Sequence, residues 1–377
     1  VFDPDRLDIA WVMPDLLKGS GGHMTILRLV EQLARFGHRQ TIWIHNPRYP
    51  DPRPIKQRMQ HGFRPIPDDV AVAVLPDDMR AVSADAVIAT EAWSAFPVAN
   101  VTNAKARFYL IQDYEPLFFP AGETAILAEQ TYGLGLDALT AGDWLLGKAE
   151  GHGMWARKWD LAVDHAVYFP AVSPPREVPR IAVYARRSTP RRAVNLAIAA
   201  LTELHRRGVV FEAAMFGDDH PPTDLVFPHV HAGIAPPEAL GELYRGSDVG
   251  LVFSATNYSL VPLEMMACGL PVVELDGEST RAVFRADEAV LAAPSPASVA
   301  DALQALLTDP AARQAQAAKG RAFVEPLSWE ASACSIETAI RERLLERGAK
   351  PIDPTAICAP AIGRPRRASV VIPTYNG

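Results

Sequence analysis

Two runs of alternating apolar strands and amphipathic helices, separated by a proline-rich break, constrain this chain more than any other feature. The first run opens with the strand Ile9–Met13 and a loop from Pro14 to Gly22. A helix follows, with Ile26, Leu29, Val30 and Leu33 at i, i+3, i+4 and i+7. Gly37 ends it, and Gln40–Ile44 reads as the next strand. Ala86–Ala89 and Arg107–Ile111 are further strands, then Ala138–Thr140, with a helix from Asp143. Proline and charge thicken at Tyr168-Phe169-Pro170 and from Pro174 to Pro179. The second run reads as strand Arg180–Tyr184, helix Ala193–Arg206, strand Phe211–Phe216, helix Pro237–Arg245 and strand Val249–Phe253. It continues with helix Pro262–Cys268, strand Pro271–Glu274, and helices Pro296–Leu307 and Trp329–Arg347. Such alternation calls for a parallel sheet with helices on both faces. The expected class is α/β, with two Rossmann-like, doubly wound domains over 1–170 and 176–347. Residues 348–368 read as a Pro/Arg-rich linker.

Composition narrows the function classes. The chain has 377 residues, room for two ordinary domains. Apolar residues at 49% and charged residues at 21% are those of a globular protein. A net charge of -7 argues against nucleic acid as a partner. The 3 cysteines are too few and too scattered for a disulfide scaffold or a zinc site, and fit a reducing cytosol. No apolar run approaches the roughly 20 residues of a membrane span, and the start has no signal-peptide pattern. The expected location is cytoplasmic, in reach of the inner face of the membrane. Residue 1 is Val, so a longer parent chain is expected.

The segment Ser254–Leu275 carries the most chemistry. It reads as a polar loop (Ser254, Thr256, Asn257, Tyr258, Ser259), a helix with Pro262 at its first position, a stop at Gly269, and a buried strand. A loop entering a helix presents free N–H groups, an anion site. Glu264, one turn in, suits sugar hydroxyls. An ordinary αβ unit fits the same residues, with Glu264 complementing the helix dipole.

This segment resembles the donor-binding signature of family 4 glycosyltransferases: a Glu, seven residues, a second Glu, then Ala-Met-Ala-Cys-Gly-x-Pro-Val-Val. Glu264 takes the second Glu and Thr256 the place of the first. The string SLVPLEMMACG is also similar to that of bacterial rhamnosyltransferase-like enzymes of surface polysaccharide synthesis. The resemblance implies the GT-B architecture, with the active site in the cleft between two Rossmann-like domains. It implies a retaining, metal-independent transfer of a sugar from a nucleoside diphosphate, of dTDP or UDP type, to a saccharide or lipid-linked acceptor in O-antigen or capsule synthesis. The nucleotide sugar is then substrate, and no cofactor is expected. Thr256 cannot supply the missing charge, though with Asn257 it can hydrogen-bond a sugar. A donor without a 6-hydroxyl needs less polar coordination, which favours L-rhamnose. The same substitution fits lost catalysis.

Four further constellations belong to this reading. Gly19-Ser20-Gly21-Gly22-His23 is the first βα loop; Gly21 and Gly22 permit close approach to the donor diphosphate, and His23 is placed on the acceptor side. Tyr184–Arg192 holds Arg186, Arg187, Arg191 and Arg192 at a strand end. Related transferases place an Arg and a Lys at a similar spacing, both on the leaving pyrophosphate. Arg186 matches the first, and Arg191 or Arg192 the second. Cations suit this step because bond cleavage builds negative charge on the leaving oxygen. Gly217 and Gly233 follow strands and, by resemblance, line the nucleobase pocket. Thr90-Glu91-Ala92-Trp93 and Gln112-Asp113-Tyr114-Glu115 open on the cleft from the first domain. Glu91, Asp113 and Glu115 are expected on acceptor hydroxyls, one of them assisting deprotonation, with Tyr132, Asp143 and Trp144 nearby. Catalysis falls to Arg186, Arg192 and Glu264, and donor contact also to Tyr258, Ser259, Leu260 and Val261.

Two other classes fit the sequence: a GT-B-fold sugar-nucleotide epimerase, and a degenerate module that binds nucleotide sugar or glycan without turnover. Ser369–Gly377 resembles the first strand and turn of a family 2, GT-A glycosyltransferase, which implies a second transferase downstream.

Overall fold

The structure, a computed structural model, describes residues 1–350 apart from 18, 49–51, 63–64, 172–175 and 221–222. Pro174 and Pro175 of the proline-rich break, nearly all of the expected linker and the segment 369–377 lie outside the described residues.

The first lobe contains β1 (Asp8–Pro14), α1 (Gly21–Arg35), β2 (Arg39–His45), α2 (Pro52–Gly62), β3 (Ala71–Val74), β4 (Ser83–Ala89), α3 (Ala92–Ala99), β5 (Asn103–Ile111), α4 (Glu123–Gln130), β6 (Asp137–Ala141), α5 (Asp143–Gly151) and β7 (Ala156–Trp159). Its described strands lie in the order β3-β2-β1-β4-β5-β6-β7. The second lobe contains β8 (Arg180–Tyr184), α6 (Val194–Arg206), β9 (Glu212–Phe216), β10 (His229–Gly233), α7 (Pro237–Arg245), β11 (Val249–Leu251), α8 (Leu260–Ala267), β12 (Val272–Leu275), α9 (Glu278–Val283), β13 (Val290–Ala292), α10 (Pro296–Thr308), α11 (Pro310–Val324) and α12 (Trp329–Glu346). Its order is β10-β9-β8-β11-β12-β13. Every described pairing in both sheets is parallel.

The strands at the sheet centres carry nearly continuous apolar runs because both faces are covered. β4 buries Ala84 through Ala89, and β1 buries Ile9 through Met13. α1 turns Ile26, Leu29, Val30 and Leu33 inward, all at most 3% exposed. One apolar cluster runs from the first sheet into α8 and α12, and a second fills the layer between β8–β9 and helices α6 and α10. The last helix, α12, returns to the first lobe and packs on α1, β5 and β7.

In both sheets the strand order reverses beside the first strand, between β1 and β4 and between β8 and β11. Ligands in such sheets sit outside the carboxyl ends of the strands at that point. The loops after β1, β4, β5, β8 and β11 are therefore the ones that build a site.

Of the boundaries that depart from the sequence reading, one bears on the site. α8 begins at Leu260, so Pro262 stands third in the helix rather than first. The first turn tolerates it because those N–H groups have no intrahelical acceptor.

Candidate active site between the lobes

A cavity of about 470 Å³ lies over both reversal points. The first lobe lines it with Ser20, Gly21, Gly22 and His23, with Thr90, Glu91 and Trp93, and with Gln112, Asp113, Glu115, Phe118 and Phe119. The second lobe contributes Tyr184, Arg186, Ser188, Thr189, Arg191 and Arg192, and Tyr258, Ser259, Leu260 and Val261.

The arginines are fixed by specific partners. Arg192 is buried, and its Nη1 donates to Ser254 Oγ at 3.0 Å and to the Phe253 carbonyl at 3.5 Å. Arg191 lies with Cζ 3.8 Å from the centre of the Phe118 ring and Nε 3.4 Å from Asp113 Oδ2. Burial holds its pKa below the usual arginine range. Arg186 Nη1 donates across the gap to the carbonyl of Gly19. All three of these arginines therefore reach the cavity, including both candidates for the second cation.

α8 adds the complementary feature. Ser259 is its N-cap, with extended backbone and no side-chain bond to the helix amides. Its Oγ is buried and has no hydrogen-bond partner among the described residues. A buried hydroxyl without a partner is costly, and this one lines the cavity beside the first amides of the helix.

Gly21 and Gly22 form the first turn of α1. A Cβ at Gly21 would meet nothing within 4 Å, and at Gly22 it would be in ordinary contact with the Gln112 side chain at 3.6 Å and Ser20 Oγ at 3.8 Å. Both glycines line the cavity and leave room in it. Ser20 caps α1, its Oγ 2.8 Å from His23 Nδ1. Burial lowers the His23 pKa, so the ring at neutral pH is uncharged.

The acidic groups differ from one another. Glu115 Oε2 accepts from the Ala92 amide at 2.7 Å, and burial pushes its pKa up to about 8. It carries a proton at neutral pH and can donate to a ligand oxygen. Asp113, raised by burial, accepts from Thr256 Oγ1 and from the Asn257 amide, each at 2.8 Å. Glu91 sits at the start of α3 and lines the same wall.

Several expected residues lie elsewhere. Thr256 and Asn257 do not line the cavity: their donors point at the first lobe, Asn257 Nδ2 to the carbonyls of Gln112 and Ala141 at 3.0 and 3.1 Å. Gly217 and Gly233 are also outside it. Gly217 is needed by sterics, since at φ 100° a Cβ would lie 2.5 Å from Tyr184 Cε2. Glu264 does not line this cavity. Burial raises its pKa to about 7 against the opposing charge of Arg28 and a hydrogen bond from Tyr168. Arg28 in turn borders a second cavity of about 420 Å³ with Asp164 and Glu238. Tyr132 is buried, while Asp143 and Trp144 bridge to the second lobe through Arg285 and Glu278. Sequence reasoning missed Phe118, which supports Arg191; its Pro-Leu-Phe-Phe setting carries no pattern that marks it. Among the described residues no helix is long and apolar enough to cross a membrane, and no group of three or more His, Cys, Asp or Glu could hold a metal ion.

Known proteins share the fold of this chain. Residues 179–304 match the family described as WsaF, C-terminal domain. The O-antigen biosynthesis protein RfbC of Myxococcus xanthus is 33% identical over 353 residues, covering 90% of this chain. The chain spans 27% of the length of RfbC. Sucrose-phosphate synthase of Thermosynechococcus elongatus superposes with a TM-score of 0.70 at 16% identity, over 90% of this chain and 99% of that one. The fold is that of the GT-B glycosyltransferases. Anabaena HepE, solved in complex with UDP-glucose, shares it with a TM-score of 0.67 at 15% identity, over 90% of this chain and 100% of its own. The GT-B fold sets two Rossmann-like lobes across a cleft, as the sequence reading anticipated.

Proposed function

We propose that this chain is a glycosyltransferase of the family 4 type that moves a sugar from a nucleoside diphosphate to a saccharide or lipid-linked acceptor in bacterial surface polysaccharide synthesis. One observation carries it: Arg186, Arg191, Arg192, the partnerless hydroxyl of Ser259 and the N-terminus of α8 converge on one cavity. A diphosphate would give the Ser259 hydroxyl and the first amides of α8 an acceptor, and its charge would complement the three guanidinium groups. As the sugar–phosphate bond breaks, charge grows on the leaving oxygen, and pre-set guanidinium and amide donors stabilise it. HepE, on the same fold, was solved with UDP-glucose, which supports a UDP-type donor here, with dTDP the other candidate.

In this reading the reaction is retaining: the acceptor attacks from the face that the diphosphate leaves, with Glu91, Glu115 and Trp93 on the acceptor side. It needs no metal, because the arginines provide the positive charge. L-Rhamnose is the sugar favoured by the likeness of SLVPLEMMACG to rhamnosyltransferase-like enzymes and by the missing carboxylate at 256; the Thr256 hydroxyl itself donates to Asp113.

The test incubates purified protein with UDP- and dTDP-sugars, dTDP-L-rhamnose included, and with acceptor saccharides, with and without EDTA. Transfer that survives EDTA, with product of the donor's anomeric configuration, is the expected result. Arg192→Ala should lower kcat at least a hundredfold. Epimerisation of the donor, or nucleotide binding without turnover, would replace the proposal with the epimerase or the binding module. Glu264→Ala tests separately whether this carboxyl takes the sugar hydroxyls of the donor, those of its ribose: a lost nucleotide-induced thermal shift supports the contact, and an unchanged shift removes Glu264 from the site.

A further inference from the structure

Asp113 belongs to the first lobe, yet most of its partners belong to the second. Oδ2 accepts from Thr256 Oγ1 and Oδ1 from the Asn257 amide, each at 2.8 Å. The Arg191 Nε stands 3.4 Å away. Within its own lobe it accepts from the Tyr114 amide at 2.8 Å. Around it the same two second-lobe segments meet other first-lobe groups: Asn257 Nδ2 reaches the carbonyls of Gln112 and Ala141, and Arg191 rests on the Phe118 ring. The backbone links the segments to each other, since the Ala255 amide donates to the Arg191 carbonyl at 2.9 Å. The carboxylate is 8% exposed and still lines the cavity. Burying a charge is expensive unless several bonds compensate it, and here they come from the opposite lobe.

Position 256 acquires a physical explanation. A glutamate there would face Asp113 at the contact that Thr256 Oγ1 now makes, and two carboxylates in one buried site repel. The hydroxyl at 256 and the carboxylate at 113 are complementary halves of one contact.

We infer that Asp113 is a positioning residue that docks the 256–257 loop onto the first lobe and aims Arg191 into the cavity, so that the cation set of the donor site is complete only when the lobes are closed. The second half of this inference rests on the proposed diphosphate reading; the docking half does not.

The experiment compares the wild type with Asp113→Asn, Asp113→Ala, Thr256→Glu and the exchange D113T/T256E. Three readouts are taken: the radius of gyration by small-angle scattering, the Kd for UDP and dTDP by calorimetry, and kcat and KM for the donor. Thermal melts restrict the comparison to folded variants. Expected results are a larger radius of gyration and at least tenfold weaker nucleotide binding for Asp113→Ala and Thr256→Glu. Donor KM should rise more than kcat falls. Asp113→Asn, which keeps one acceptor oxygen but loses the charge, should hold the lobes closed and weaken nucleotide binding by a smaller factor. The exchange variant should recover at least threefold of the affinity that Thr256→Glu loses. Wild-type compactness and affinity in Asp113→Ala would overturn the inference, as would an exchange variant no better than Thr256→Glu. If the wild type binds neither nucleotide, the proposed function fails, while the scattering comparison still decides the docking role.

Discussion

Glu115 Oε2 accepts from the amide of Ala92 at 2.7 Å while its carboxyl is 9% exposed and faces the charges of Glu91 and Asp113. Burial is the larger cause and the neighbouring carboxylates the smaller, and both favour the protonated form; the pKa rises to about 8. The folded state therefore holds this proton more tightly than the unfolded chain does. The stability that follows is complete below the ordinary carboxyl pKa of about 4.3 and is lost as pH rises through 8. Glu264 and Glu274, both raised to about 7, add a loss that is largely finished at lower pH. Glu115→Gln mimics the neutral acid and keeps an acceptor for Ala92. In urea unfolding it should flatten the decline between pH 7 and 9 by about 1 kcal/mol. An unchanged decline would mean that Glu115 titrates normally. None of this was legible in the sequence, where Glu115 is one polar residue after an apolar strand; its burial is set by residues distant in the chain, Tyr109 and the Glu91-Ala92 start of α3 among them. The arginine cluster was legible, because four guanidinium groups at one strand end have few other uses. Which of Arg191 and Arg192 reached the cavity was not, and both do.

Helix α8 begins differently from the other serine-capped helices. Ser20, Ser295 and Ser328 each accept from an amide of the helix they begin, as N-caps do. Ser259 does not, and its Oγ has no partner. Ser328→Ala should cost about 1 kcal/mol of stability. Ser259→Ala should change stability by less than about 0.5 kcal/mol, yet weaken UDP or dTDP binding roughly tenfold, the worth of one hydrogen bond to a charged group. Parallel melts and calorimetry on the two variants check this; equal effects on stability with none on binding would place Ser259 among the ordinary caps. The elements that the sequence revealed share one property, a contrast between buried and exposed positions. The strands at the sheet centres and helices α1, α6, α7 and α10 have it. β3 and β13 are short edge strands, only partly buried, and were not read. α11 buries only Gly320 and Val324 of its 15 residues, so no apolar stripe announces it. α3 is interrupted by Pro97 and α9 is 6 residues long.

At the scale of the whole molecule, the return of α12 makes the two lobes one mechanical object. Asp137, at the start of β6, has a side chain 4% exposed and accepts from Arg343 Nη2 at 2.9 Å and Arg347 Nη2 at 2.8 Å, both at the far end of α12. His38 Nε2 meets Glu337 Oε1 at 2.7 Å midway along the same helix, and Ser332 Oγ donates to the Asp160 carbonyl near its start at 2.6 Å. The helix is thus fastened to the first lobe along its length, while the chain that leads into it belongs to the second. Removing a buried member of a charge pair costs more than the pair is worth, because partners lose compensation that water cannot fully restore. The two arginines are only 22% and 31% exposed, but that is enough for partial rehydration. Asp137→Ala should therefore lower stability by about 2 kcal/mol rather than the 3–5 kcal/mol of a fully enclosed pair. The loss should be local before it is global. Hydrogen exchange in the last two turns of α12 should rise first, and the lobes should grow more mobile about the cleft, raising donor KM with little change in kcat. If exchange rises uniformly through both sheets instead, the helix is an ordinary part of one core and carries no special tie between the lobes.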